Sequence, residues 1–174
     1  MAKHPALWGL FIALLCGAPL IAHATDLVDA TGFGPVKFGM TIKQAERALG
    51  TTLKLTADED PSGTCVRGGR ADGIEPGVAY MAIKGVIQRI DVELAQAQSV
   101  KTAGGVGAGS TPSDVRKTFG ARAEHDNTDY AGDDDIVVNA PGRKSGVRYG
   151  FEDGKLSWII AGKYAALSFS EGCL

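Results

Sequence analysis

The chain has 174 residues, with 18 Lys+Arg against 20 Asp+Glu, a formal net charge of −2 and 44% hydrophobic residues. That length fits one domain, or one domain built from two similar halves. The absence of a Lys/Arg surplus points away from a nucleic-acid binder, and the apolar content points away from wholesale disorder.

Residues 1–24 read as a secretory signal peptide. Lys3 supplies the positive start, Ala6 to Cys16 the apolar stretch, and Ala22-His23-Ala24 the small-x-small cleavage site. Gly17 and Pro19 interrupt the apolar run well short of the roughly 20 residues that a membrane span needs. Leu15 stands before Cys16 where lipoprotein processing requires a small residue, so a lipid anchor is not expected. The expectation is a periplasmic or secreted protein starting at Thr25, not an integral membrane protein.

Beyond the leader the chain reads as two similar units, 25–98 and 99–174. Gly34, Val36, Gly39, Thr41 and Gly50 align without gaps on Gly104, Val106, Gly109, Thr111 and Gly120. After a one-residue slip, Gly77, Val78, Tyr80, Gly85 and Ile90 align on Gly146, Val147, Tyr149, Gly154 and Ile159. A slip of one residue is what a loop tolerates, and the shared order of Gly, Tyr and apolar positions indicates duplication.

In the first unit Thr41 is a helix N-cap, with Gln44 completing a capping box. Ile42, Ala45 and Leu49 recur at helical spacing, and Gly50 ends the helix. An acidic loop follows at Asp58, Glu59 and Asp60. Lys84-Gly85 is a turn, and Ile90, Val92 and Leu94 then alternate with Arg89, Asp91 and Glu93. That period of two predicts a strand with one face buried and one face wet. Ala95 to Thr102 joins the units.

In the second unit Thr111 caps, Pro112 fits the first helical position, and Asp114 complements the positive helix end. Val115 and Phe119 form its apolar stripe. A second acidic loop carries Asp126, Asp129, Asp133, Asp134 and Asp135. Ile136 to Val138 is a short strand. Val147, Tyr149 and Phe151 alternate with Arg148, Gly150 and Glu152, and Asp153-Gly154 turns the chain into Leu156 to Ile160. Each unit is thus a short helix followed by about three antiparallel strands, an α+β arrangement forming one compact domain or a continuous curved sheet.

The Gly-x-Gly-Pro-Val-x-x-Gly-Met-Thr opening at 32–41 and the short helix ending at Gly50 resemble small bacterial envelope proteins of the outer-membrane assembly lipoprotein (SmpA/OmlA) type. The two helix-plus-sheet units also resemble the β-lactamase inhibitor protein fold. The whole layout, ending in Glu171-Gly172-Cys173, is similar to exported bacterial proteins. These resemblances imply an exported protein-binding scaffold. They assign no site residue.

Past the leader the cysteines are Cys65 and Cys173. In an oxidising compartment two cysteines imply one disulfide. Closing a loop of roughly a hundred residues, it is worth about 4–5 kcal/mol in the chain-entropy account.

The Gly-rich run at 104–109 has no Lys before Ser110-Thr111, so it lacks the Walker pattern and reads as the loop that leads into the second helix. His125, between Glu124 and Asp126, is the only histidine past the leader, and no Gly-x-Ser-x-Gly elbow presents a serine. The acidic residues of the second loop are hard-oxygen donors of the kind Ca²⁺ takes, without EF-hand spacing; a solvated loop is the simpler reading. Zinc lacks ligands here, and no cofactor motif is present. The acidic loops at 58–60 and 126–135 are also candidate partner surfaces. The leading expectation is therefore an exported, non-catalytic binding protein, recognising another exported or envelope protein in an inhibitor-like way. A carbohydrate or envelope-polymer module, assisted by calcium, is the first alternative. A carboxylate-dependent hydrolase is the second.

Overall fold

The computed structural model describes residues 27–57, 62–128, 131–169 and 173. The leader at 1–24 and the acidic residues Asp58, Glu59, Asp60 and Asp129 lie outside the described residues.

Strands β1 (Leu27–Asp29), β2 (Gly32–Phe33) and β3 (Val36–Lys37) form a small meander. Helix α1 (Ile42–Leu49) follows, then β4 (Leu53–Thr56), β5 (Cys65–Arg70), β6 (Val78–Ile83) and β7 (Val86–Glu93). Strand β8 (Lys101–Thr102) leads to α2 (Pro112–Phe119), β9 (Ala123–His125), β10 (Ile136–Asn139), β11 (Ser145–Glu152) and β12 (Lys155–Lys163). A single-turn helix, α3 (Tyr164–Leu167), closes the described chain. The protein is α+β, with few helices and mostly antiparallel sheet. Four sheet strands follow each helix, where about three were expected: β4 alternates over only four residues and β9 has three. Among the described residues no helix is long and apolar enough to cross a membrane.

The larger sheet has eight strands in the order β4-β5-β6-β7-β12-β11-β10-β9, all antiparallel. Its centre is the β7–β12 pair, where Asp91 faces Ile160 and Glu93 faces Trp158. The small sheet has the order β3-β2-β1-β8, with β1 and β8 parallel.

Local chemistry explains the helices. Thr41 and Gln44 close a reciprocal capping box on α1, and Gly50 ends it in the left-handed conformation. Thr111 and Asp114 do the same at the start of α2, beside Pro112 at the first turn. Both helices have eight residues, too few to stand alone, and bury Ala45 and Val115 against the sheet. The two inner hairpins also match. Lys84-Gly85 and Asp153-Gly154 both turn with positive φ at each residue, as a two-residue hairpin loop with the twist of its strands requires. Each hairpin then has one register shift, at Met81/Ala82 and at Gly150/Phe151. Ile87 N–H donates to Met40 O and Leu156 N–H donates to Ser110 O, both at 2.8 Å, so each hairpin is tied to the segment before its helix.

The main core lies between the sheet and the layer made by α1, α2 and the meander. Val28, Phe33, Val36, Tyr80, Ile90, Tyr149 and Ile159 are buried there. A smaller cluster on the opposite face holds Cys65, Met81 and Ala166, with Ile83, Phe169 and Cys173 against it. Cys65 and Cys173 form the disulfide, with Cα atoms 5.7 Å apart. The C-terminal segment is thereby fixed across one part of that second face.

The alternation in β7 and β11 holds, but its wet face does not. Arg89, Asp91 and Arg148 were expected in solvent, and all three are buried. The reason is tertiary: α3 and Phe169 lie over this face. Gly146 leaves room there, since a Cβ on it would come within 3.4 Å of Leu167 Cδ1.

Candidate binding face

The strand register brings together a row of side chains across six strands. Ala79, Asp91, Ile160, Arg148, Val137 and Glu124 are successive cross-strand partners on β6, β7, β12, β11, β10 and β9. They point away from the helices. Arg67, Met81 and Arg89 form part of the next row. Glu93, Trp158 and Gly150 form part of another. The C-terminal segment covers Met81 and Arg89, while Ala79, Ile160 and Trp158 are half-buried.

Two charge clusters stiffen the face. Asp91 bridges two arginines, accepting from Arg67 Nε at 2.6 Å and from Arg89 Nε. Arg89 then donates through Nη1 to Phe169 O at 2.7 Å and to Ala166 O at 3.3 Å. A strand charge and the chain terminus are thus held by one guanidinium. In the second cluster Arg148 donates through Nε to Asp126, through Nη2 to Thr128 Oγ1 at 2.9 Å and through Nη1 to Leu167 O at 3.2 Å. Its side chain is 2% exposed and that of Asp126 is 3% exposed. Burying charges is tolerated only with such pairing and full hydrogen bonding.

Trp158 lies against the same cluster. Its ring centroid is 5.7 Å from the Arg148 guanidinium carbon. A Cβ on Gly150 would overlap the indole, so the ring rests directly on the glycine backbone. Arg67, with 45% of its side chain exposed, is an accessible cation of the face. Arg143 and Glu124 form a surface pair at 2.8 and 2.9 Å near its other end. That pair is solvent-screened and contributes little to stability.

Between these groups and α3 lies a cleft of about 230 Å³, lined by Asp126, Asn139, Arg148 and Tyr164 among others. Asn139 Oδ1 is buried with no hydrogen-bond partner among the described residues. Tyr164 is one of the large exposed apolar side chains. His125 also lines the cleft, as does Ser168, whose hydroxyl donates to Ala165 O at 2.8 Å.

The second acidic loop serves structure at its described positions. Asp126 Oδ1 accepts from the amide and hydroxyl of Thr128, leaving its other oxygen for Arg148. Asp135 accepts from Gly132 N–H and Phe151 N–H, both at 3.0 Å, tying the loop to β11. Asp133 and Asp134 are exposed. Among the described residues no three His, Cys, Asp or Glu side chains converge as a metal site. Sequence reasoning picked these aspartates for their charge. It missed Arg67, Arg89 and Arg148 as the basic half of the face. The Asp-x-Thr spacing of Asp126 and Thr128 is the local signal of a side-chain-to-backbone turn, and it was legible.

Comparison with family models, curated proteins and solved structures finds no match to this chain.

Proposed function

We propose that this chain is an exported, non-catalytic binding protein, and that the sheet face bearing Trp158, Ile160 and Arg67 recognises another exported or envelope protein. The observation that carries the reading is the make-up of that face. The opposite face is covered by helices and meander, and this one presents a held indole on the central strand β12 and a half-exposed arginine on β5. Trp and Arg set rigidly among apolar neighbours are the side chains that dominate protein interfaces. Preformed ion pairs beneath them reduce the ordering cost of binding. The partner that fits places an apolar side chain over Trp158 and Ile160 and a carboxylate against Arg67.

Supporting elements of the same reading are the leader expected at 1–24 and the disulfide, which suits an oxidising compartment. The matched caps, turns and register shifts of the two halves favour tandem units at 25–98 and 99–174. Inhibitor-like recognition is the narrower form of this reading, by fold-level analogy alone.

Photo-crosslinking tests it. A photoreactive residue at Ile160 or Arg67 should trap one defined protein in envelope preparations of the producing cell. The same group at Lys43, exposed on α1, should not. No adduct on the sheet face, or an equal adduct at Lys43, rejects the reading.

Trp158 also favours a second reading, a glycan-binding face. Tyr149 is in the core, but the half-buried Trp158 indole offers an accessible edge for stacking and Asn139 Oδ1 is an unfilled acceptor for a hydroxyl among the described residues. Retention on envelope polysaccharide that Trp158→Ala abolishes would support this reading over the protein partner.

A further inference from the structure

On the helix side of the sheet, away from the face just described, a cleft of about 300 Å³ opens between β1, the end of α2 and the β10–β11 pair. Its walls are mainly apolar, with Val28, Ala30, Phe119 and Val138 among them. Polar side chains also line it, Thr102, Tyr149 and Arg122 on one side and Asp29, Thr31 and Asn139 elsewhere. Burial pushes the Tyr149 phenol well above the ordinary value of 10.0, so the hydroxyl keeps its proton. Arg122 rests on the Phe119 ring at 5.7 Å, and that ring packs on Tyr149 with centroids 5.7 Å apart. Among the described residues no carboxylate pairs with Arg122.

The fold contains an instructive contrast at its other core tyrosine. Tyr80 donates to Glu75 Oε2 at 3.3 Å, and Glu75 Oε1 accepts from Arg70 at 3.4 Å. There a carboxylate sits between a phenol and a guanidinium. At Tyr149 the phenol and the guanidinium are both present, but no carboxylate lies between them: Asp29, which also lines the cleft, is engaged through Oδ1 by Thr31 and Gly32. Open volume, apolar walls, one unpaired cation and a neutral hydroxyl pair are the elements of a small-molecule site.

We propose that this cleft binds a small amphipathic carboxylate. Arg122 pairs with the anionic group beside the Tyr149 and Thr102 hydroxyls, and the aliphatic part lies along Val28, Phe119 and Val138. The cleft is large enough for a medium-chain fatty acid such as octanoate. Arg122 is exposed, so its attraction for the ligand falls as salt rises.

Sodium octanoate is the probe, added to the purified full-length protein and followed by calorimetry and amide chemical shifts. One saturable site is expected, with shifts at Ala30, Thr102, Phe119 and Val138. Octanol, uncharged and of equal chain length, should bind at least about tenfold more weakly. Arg122→Gln should lose about tenfold for octanoate, and nothing for octanol, with an unchanged melting temperature. The proposal is overturned by absence of saturation up to about 10 mM, or by equal affinity for octanol. Undiminished octanoate binding in the variant, or shifts confined to the Trp158 face, overturns it too. The photo-crosslinking result does not bear on it, because the two sites lie on opposite faces of the sheet.

Discussion

Trp158 rests on Gly150, its cross-strand partner, so closely that a methyl group at position 150 would occupy the space of the indole. The glycine is therefore a seat for the ring, and the ring covers backbone that would otherwise be bare. Gly150→Ala displaces the indole without removing it. The expected outcome is a folded protein with altered near-ultraviolet circular dichroism and a red-shifted Trp158 emission, read in a chain starting at Thr25, where Trp158 is the sole tryptophan. Partner capture should fall with it. An unchanged tryptophan spectrum in Gly150→Ala would refute this seating.

The Arg148–Asp126 pair is the most deeply buried ion pair among the described residues. Removing one member leaves a buried charge uncompensated, whereas removing both leaves only a packing problem. Asp126→Ala should cost about 3–5 kcal/mol. Asp126→Leu with Arg148→Met should regain most of that loss, as urea unfolding will show. Each single variant also loses a tie between the sheet and the β9–β10 loop, since Thr128 bonds both residues. A double variant no better than Asp126→Ala would mean that the surrounding hydrogen bonds, and not the charge pair, hold this corner.

Helices and inner hairpins were legible because their signals are local. Thr41, Gln44 and Gly50 delimit α1 within ten residues, and Lys84-Gly85 and Asp153-Gly154 specify their turns by themselves. The binding face was legible only in part. Alternation assigns Arg89, Asp91 and Arg148 to a common side, but it says nothing of what covers that side. The cover is α3 and Phe169, brought there by contacts far apart in sequence: Arg89 reaches Phe169 O, and Cys65 reaches Cys173. The meander was missed for another reason. β2 and β3 have two residues each, and their pairing depends on the turns between them. The aspartates at 126 and 135 were read as part of a partner or calcium loop, and the structure sets them against Arg148 and backbone amides.

The α2 capping box gives a pH prediction. The Asp114 carboxylate accepts from Thr111 N–H and Thr111 Oγ1, both at 2.8 Å. The backbone bond first, then the hydroxyl, hold its pKa below the ordinary 3.8. A carboxyl group whose folded pKa is lowered stabilises the fold above its unfolded value and ceases to do so as pH falls through the folded value. Asp114→Ala should therefore lower the melting temperature at neutral pH, and the gap from the parent protein should close below pH 3.8. Thr111→Ala removes the cap itself and should cost about 1 kcal/mol. Because the Thr111 hydroxyl caps α2 by accepting from Asp114 N–H, a part of that cost should persist in acid. A gap for Asp114→Ala that is constant with pH would exclude the ionised carboxylate as its source.

The disulfide joins residues 108 positions apart, so its effect on the unfolded chain is large. The chain-entropy account gives about 4–5 kcal/mol. Cys65 is also buried against Met81 and Ala166, so the bond fixes the segment that covers Arg89. Two consequences separate these roles. Cys173→Ser should lower unfolding free energy by about that amount, measured in urea at neutral pH. It should also speed amide exchange at the α3 end of the chain more than in β10 and β11, because the tail loses its covalent anchor while the helix-side core stays closed. If stability falls and exchange in the tail does not change, the bond acts only on the unfolded state. If exchange rises in the tail alone and stability barely moves, the unfolded chain already brings Cys65 and Cys173 near each other. The expected result is both effects together, since Arg89 binds Phe169 O only while the terminal segment stays in place over β6 and β7.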